Sequence, residues 1–245
     1  MPIPYPPAGH SEDVWRRVRV IFNSQVVVDA DVPKLVWEHH RFPVYYFRLS
    51  DIREEYLANR AAGENEVDVY DLVVDGKTSP AAVTVAKAAD LKGYAKIEPS
   101  KADAWFEEDE RIFGHPKDPY KRIITLQSSK KVQVEIDGVE VASTTRPVLL
   151  YETGLPLRYY IPHTDVRLDL LEDDVETTSH CPYKGDASYY FVKLPSGERK
   201  RGLAWWYKTP KAETLDIKGH VAFYDEKVDV RVNGVLNQRP VTQFS

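Results

Sequence analysis

The chain has 245 residues, of which 42% are hydrophobic and 29% charged, with a net charge of −5. That is room for one large domain or two small ones with a real core, and the acidic balance argues against nucleic acid or an anionic membrane as the main partner. The single cysteine, Cys181, excludes an internal disulfide and any zinc site built from two cysteine pairs, and no stretch approaches the roughly 18–20 apolar residues of a membrane span.

Residues 1–17 read as a proline-rich arm, with Pro2, Pro4, Pro6 and Pro7 favouring extended chain. The arm lacks the basic and apolar regions of a secretory signal, so the cytosol is the expected compartment for a protein with a lone thiol. Residues 18–103 read as a first β domain. Its opening strands turn around Asn23-Ser24, and Tyr45–Leu49 is an aromatic-rich strand. Ser100-Lys101-Ala102-Asp103 resembles a capping box that opens a short helix.

Residues 104–129 read as a junction segment. It carries the acidic run Glu107–Glu110 and then His115-Pro116-Lys117-Asp118-Pro119-Tyr120-Lys121-Arg122, whose prolines exclude a regular helix. Residues 130–245 read as a second β domain. Val132, Val134 and Ile136 alternate with polar residues, and Asp137-Gly138 turns the chain into Val139-Glu140-Val141. Tyr159–Pro162, Ala187–Leu194 and Leu203–Tyr207 read as further strands. Thr209-Pro210 looks like a helix start with Gly219 near its stop. Val228, Val230 and Val232 alternate before an Asn233-Gly234 turn.

The two domains are copies of each other. Val18–Leu57 aligns with Val132–Leu171 without gaps: Val20 meets Val134, Pro33 meets Pro147, Glu38 meets Glu152, Tyr45-Tyr46 meets Tyr159-Tyr160, and Leu57 meets Leu171. A duplicated half-open β domain can pack copy against copy about an approximate two-fold axis, with the junction crossing between them as a pocket wall or as a salt-bridged strap.

Candidate chemistry concentrates in the second copy. His180-Cys181-Pro182-Tyr183-Lys184-Gly185 could supply a thiolate nucleophile, a base and a cation, or it could be a tight turn around a structural thiol. Neighbours on a strand face apart, so His180 and Cys181 are not expected to pair. Glu152 and Arg158 flank Thr153-Gly154-Leu155-Pro156 and precede Tyr159-Tyr160, an arrangement able to orient a polar ligand or to form a framework ion-pair network. Asp165 and Arg167 recur as Asp51 and Arg53 and so read as framework. His39-His40 has no accompanying carboxylate–histidine cluster and is a weak metal candidate. Trp205-Trp206 places one indole on each sheet face. The expected catalytic set is Lys184, Glu152, Tyr159 and His115, with Arg158, Tyr183, Cys181, Trp205, Tyr120 and Arg122 contacting substrate, and with no metal or cofactor. Lys184 or Arg158 would anchor a carboxylate or stabilise an oxyanion, and Glu152, Tyr159 or His115 would move protons.

The sequence holds no phosphate loop, no Gly-x-Gly-x-x-Gly, no His-Glu-x-x-His and no Gly-x-Ser-x-Gly elbow. The segments Leu149–Pro156 with Arg158-Tyr159-Tyr160, Asp165–Leu171, His180–Gly185, Ala187–Tyr190, Ala204-Trp205 and Gly219–Tyr224 resemble the family known as domain of unknown function 427, which also carries a nucleotidyltransferase-like name. Ala104–Glu110 and His115–Arg122 resemble its tandem form. The resemblance implies two tandem β-tent-like domains of the Mss type, mainly β with a few short helices, related by a pseudo-two-fold and without the zinc cysteines of methionine sulfoxide reductase B and its relatives. The first copy lacks the Cys-Pro-Tyr-Lys-Gly segment, so it reads as degenerate. The expected function is a metal-independent enzyme acting on a small polar or aromatic metabolite by acid–base or electrostatic catalysis. The alternative is a non-catalytic binder using the same pocket, for which the 15 tyrosines and 5 tryptophans are suited. Thiol redox chemistry would need a resolving thiol from outside. The chain would work as a monomer or homodimer.

Overall fold

The computed structural model describes residues 6–64, 66–87, 89–242 and 244–245. Met1–Tyr5, the start of the proline-rich arm, lie outside the described residues. The chain divides into two compact units that meet in sequence between Asp118 and Pro119.

The first unit contains strands β1 (Ser11–Asp13), β2 (Val18–Phe22), β3 (Gln25–Ala30), β4 (Lys34–Val36), β5 (Val44–Arg48), β6 (Leu57–Ala62), β7 (Val67–Val74), β8 (Lys77–Ala86), β9 (Tyr94–Ile97), β10 (Ala104–Glu107) and β11 (Glu110–Ile112). The second contains β12 (Ile123–Gln127), β13 (Val132–Ile136), β14 (Val139–Thr144), β15 (Val148–Glu152), β16 (Arg158–Pro162), β17 (Leu171–Cys181), β18 (Gly185–Lys193), β19 (Arg199–Tyr207), β20 (His220–Phe223), β21 (Asp229–Val232) and β22 (Val235–Leu236). Each unit has one seven-stranded and one four-stranded antiparallel sheet. The large sheets run β1-β4-β5-β9-β8-β7-β6 and β12-β15-β16-β20-β19-β18-β17, and the small ones β11-β10-β2-β3 and β22-β21-β13-β14. The protein is therefore mainly β, built as two tandem copies of one domain.

The duplication extends to irregularities that no hydropathy pattern records. The first hairpin is bulged between Val20 and Ile21 and again between Val134 and Glu135. The isolated bridges Val28–Ile52 and Ala142–Val166 also correspond. Asn23-Ser24 and Asp137-Gly138 have positive φ at both positions, the type I′ geometry that matches strand twist.

Alternation explains the cores. Val18, Val20 and Phe22 of β2, and Val132, Val134 and Ile136 of β13, are buried while the residues between them are not. They pack against Leu35, Phe47, Val83 and Ala95 in the first domain, and against Ile161, Ala204, Val221 and Phe223 in the second. Each of the Val, Leu, Ile and Phe side chains contributes about 1.5–3 kcal/mol by leaving water, and the alanines less. The second domain has a further cluster on the other face of its large sheet, made by Val148, Leu150, Tyr160, Trp205, Tyr207 and Ala222.

Several expectations are corrected. Part of the arm, Ser11–Asp13, is the edge strand β1, paired with β4. Ser100-Lys101 sits in a 3-10 turn, and Ala104–Glu107 continues as β10 against β2, so the start of the expected junction is first-domain sheet. The end of that segment is β12, paired with β15. The expected helix after Thr209-Pro210 is a 3-10 segment, Ala212–Ile217, ended by Gly219 at φ +76°. No helix among the described residues is long and apolar enough to cross a membrane.

Candidate functional site

The large sheet of the second domain presents one row of residues on the face away from the small sheet. Val148 pairs with Tyr160, Tyr160 with Ala222, Ala222 with Trp205, and Trp205 with Tyr189. Residues opposite one another in an antiparallel ladder share a face. Two residues further along β15 from Leu150, the same face carries Glu152.

Glu152 is the centre of a charge cluster. Its Oε2 accepts from Lys184 Nζ at 2.5 Å and its Oε1 from Lys121 Nζ at 3.1 Å. The three side chains are only 5%, 13% and 11% exposed. Burial would favour a neutral Glu152, but the two ammonium groups outweigh it and hold the carboxyl below its ordinary range. Burial likewise opposes the Lys184 charge, and is outweighed chiefly by Glu152, so the lysine is held above its ordinary range. Tyr160, fully buried beside Lys184, is pushed up to about 12 by burial. Lys121 Nζ also lies 5.4 Å from the Tyr183 ring centroid.

The turn that delivers Lys184 explains the Cys-Pro-Tyr-Lys-Gly segment. Gly185 has φ +100°, and a Cβ there would lie 3.1 Å from the Thr209 carbonyl oxygen. The carbonyl of Lys184 accepts from the Lys211 amide at 3.1 Å. Glycine lets the chain fold tightly enough to aim Lys184 at the sheet. Tyr183 is buried, and Cys181 is half-buried at the edge of the apolar cluster. His180 turns to Asp186, with Nδ1 2.7 Å from Oδ1, and does not face Cys181.

A second cluster lies beside the first. Arg158 is two residues from Tyr160 on β16, which puts it on the same face about 7 Å away. Its two terminal nitrogens donate to Glu226 at 2.7 and 2.5 Å, and Nη1 is 3.7 Å from Asp225. Trp205 and Tyr224, packed on each other at 4.3 Å, lie on one side of the guanidinium, their centroids 5.8 and 5.6 Å from its carbon. Glu226 takes the bidentate bond, and these contacts outweigh its burial and keep it below its ordinary range. Asp225 receives less of the arginine; burial, with Glu226 adding to it, pushes its carboxyl up to about 7. A shallow cavity of about 550 Å³ opens nearby, lined by Tyr189, Tyr224 and Phe244 with Arg201 and Lys227.

Several sequence-chosen residues stand elsewhere. Tyr159 points to the opposite face of β16, packs on the inter-sheet core and accepts from Asn237 at 3.4 Å, so Tyr160 takes its place in the cluster. Arg158 does sit on this face, with both terminal nitrogens bonded to Glu226. His115 belongs to the first unit, where its ring stacks on Phe42 at 4.2 Å. Tyr120 and Arg122 are exposed; the Arg122 backbone is tied to Thr153. Glu152, Lys184, Tyr183, Cys181 and Trp205 do share one sheet face. Sequence reasoning missed Lys121, Asp225 and Glu226. The only available signal was the charge run Asp225-Glu226-Lys227 directly after the aromatic strand end at Tyr224, which looks like an ordinary solvated loop.

Among the described residues no three His, Cys, Asp or Glu side chains are arranged to hold a metal ion. No curated protein matches the chain. A family model named NTP_transf_9 and described as a domain of unknown function, DUF427, matches residues 10–108 and again 124–234. The two matches fall one on each domain, and the chain belongs to the DUF427 family, whose domain it carries twice.

Proposed function

We propose that the outer face of the second domain's large sheet is the active face of an enzyme acting on a small polar or aromatic metabolite that carries an anionic or carbonyl oxygen. The observation that carries this reading is the pair of neighbouring buried clusters on one sheet face, Glu152 with Lys184 and Lys121, and Arg158 with Glu226 and Asp225. Lys184 and Lys121 converge on the two oxygens of Glu152. Lys184, held protonated, donates hydrogen bonds to a substrate oxygen and is no amine nucleophile. Glu152 stays ionised and acts as the strut that fixes both ammonium groups. Tyr160 keeps its proton at neutral pH and serves as a donor.

Proton transfer falls to Asp225. A general acid–base group works best with a pKa near the operating pH, and adjacent carboxyls pushed apart in pKa mark such an assignment. Arg158 holds Glu226 in its ionised state and leaves Asp225 free to gain and lose a proton. The spacing of Arg158 and Tyr160 brings both clusters within the span of one metabolite.

A binder reading of the same face is favoured by the aromatic cavity at Tyr189, Tyr224 and Phe244. Incubation with a defined mixture of small carboxylates, keto acids and aromatic acids, followed by mass spectrometry, separates the two. The wild type should bind and deplete a component, Asp225→Asn should bind it without depletion, and Lys184→Met should do neither. Retention without depletion by the wild type would establish a binder, and equal depletion by both variants would overturn the site.

A further inference from the structure

The first domain, degenerate by its sequence, contains a cavity of about 430 Å³, inside the range of small-molecule sites. We infer that this cavity is a second ligand site, built for a flat heteroaromatic compound that presents N–H donors. The inference is independent of the reading of the second domain.

Its walls are aromatic. Phe42 and His115 stack face to face at 4.2 Å with an interplanar angle of 12°, and Tyr45 and Trp105 also line the space. Tyr45 is held in place, donating to Glu107 Oε1 at 2.8 Å while Arg16 donates to Glu107 Oε2 at 2.7 Å. Flat faces of this kind accept a ring at little conformational cost, since none of the side chains is long and flexible.

His39, Lys96 and Glu98 also line the space, and the acceptor is Glu38, which stands at the position in the first copy that Glu152 holds in the second. Here the surroundings differ. Tyr46 Oη at 2.7 Å and Lys96 Nζ at 2.5 Å both donate to Oε1, and Oε2 makes no hydrogen bond among the described residues. Burial opposes ionisation, but these two donors outweigh it and keep Glu38 a carboxylate. The cavity therefore offers a charged acceptor with a free oxygen, and its one ammonium, Lys96, is already neutralised by the same carboxylate. An anion would meet Glu38 unfavourably. A ring with adjacent N–H groups would give it a charge-assisted bond.

The test uses the full chain and 2-aminobenzimidazole, a flat ring with neighbouring N–H donors, titrated by calorimetry. Naphthalene-2-carboxylate, similar in size but anionic, is the control. The wild type should bind 2-aminobenzimidazole measurably below millimolar concentration and should not bind the naphthoate. Glu38→Gln and, separately, Phe42→Ala should each weaken binding by roughly tenfold or more, and Lys184→Met should leave it unchanged. Phe42 is a half-buried loop residue, so its variant tests the site even if Glu38→Gln disturbs the bend after β4. No binding by the wild type, equal binding by Glu38→Gln and Phe42→Ala, or equal binding of the naphthoate would overturn the inference. So would loss of binding in Lys184→Met with binding kept in Glu38→Gln.

Discussion

Replacing Glu152 by Gln should destabilise the second domain far more than replacing either of its lysines. Glu152, Lys184 and Lys121 are 5%, 13% and 11% exposed. Removing the carboxylate charge takes from Lys184 its counterion and from Lys121 one of its partners, and breaking a buried pair from one side costs about 3–5 kcal/mol. The residual exposure of the lysines lets them recover some water, which places the expected loss near the lower end, about 3 kcal/mol. For a domain of this size that corresponds to a fall in melting temperature of roughly 10 °C. Lys184→Met leaves Glu152 still bonded to Lys121 and replaces the lysine stem with apolar volume, so about 1 kcal/mol or less is expected. Urea unfolding of the two single variants and the double variant forms a complete cycle. In the double variant, removing one stranded ammonium should relieve part of the Glu152→Gln loss. A Glu152→Gln loss within about 0.5 kcal/mol of wild type, the scale of ordinary surface changes, would refute the view that this carboxylate holds two buried charges.

Other perturbations have equally definite outcomes. Asp225 is raised in the folded state to about 7, so the folded protein binds a proton that the unfolded chain has released. Its contribution is fully present below the unfolded carboxyl pKa and is lost as pH rises through about 7. Relative to Asp225→Asn, wild-type stability should fall across roughly pH 4–7, by no more than about 1.4 kcal/mol per pH unit. A flat difference would show that Asp225 is not raised. Arg158→Met strands Glu226 and should cost about 3 kcal/mol at neutral pH, part of it regained on acidification; a loss that does not vary with pH would count against the Arg158–Glu226 assignment. Gly185→Ala should cost roughly 1–3 kcal/mol, because alanine is strained at φ +100° and meets the Thr209 carbonyl. An unperturbed melting temperature would contradict the stated reason for glycine in that turn.

Much of the architecture is legible in the chain because β structure with one buried face writes itself as alternation. Val132–Ile136 with Asp137-Gly138 specifies a hairpin by short-range rules, and the ungapped match of Val18–Leu57 to Val132–Leu171 reveals the duplication. The strand role of Ala104–Glu107 is not legible, because its acidic continuation resembles a surface run and its partner β2 lies some 80 positions earlier. The charge cluster is half legible. Glu152 and Lys184 stand out because the second copy departs from the first around them. Lys121 does not, since its approach to Glu152 depends on β12 pairing with β15 across a long sequence separation. Tyr159 and Tyr160 differ only by strand parity, which a shift of one residue reverses. Asp225 and Glu226 are set apart by burial beside Arg158, a property of the tertiary structure alone.

The reading of the second domain is tested most directly by locating a bound metabolite. Crystals soaked in the mixture of carboxylates, keto acids and aromatic acids should show a molecule on the outer face of the second domain's large sheet. An oxygen of that molecule should lie within hydrogen-bond distance of Lys184 Nζ, and its body should extend toward Tyr224 and Asp225. A molecule bound on that domain but away from Lys121, Lys184 and Asp225, in crystals of an active preparation, would contradict the account.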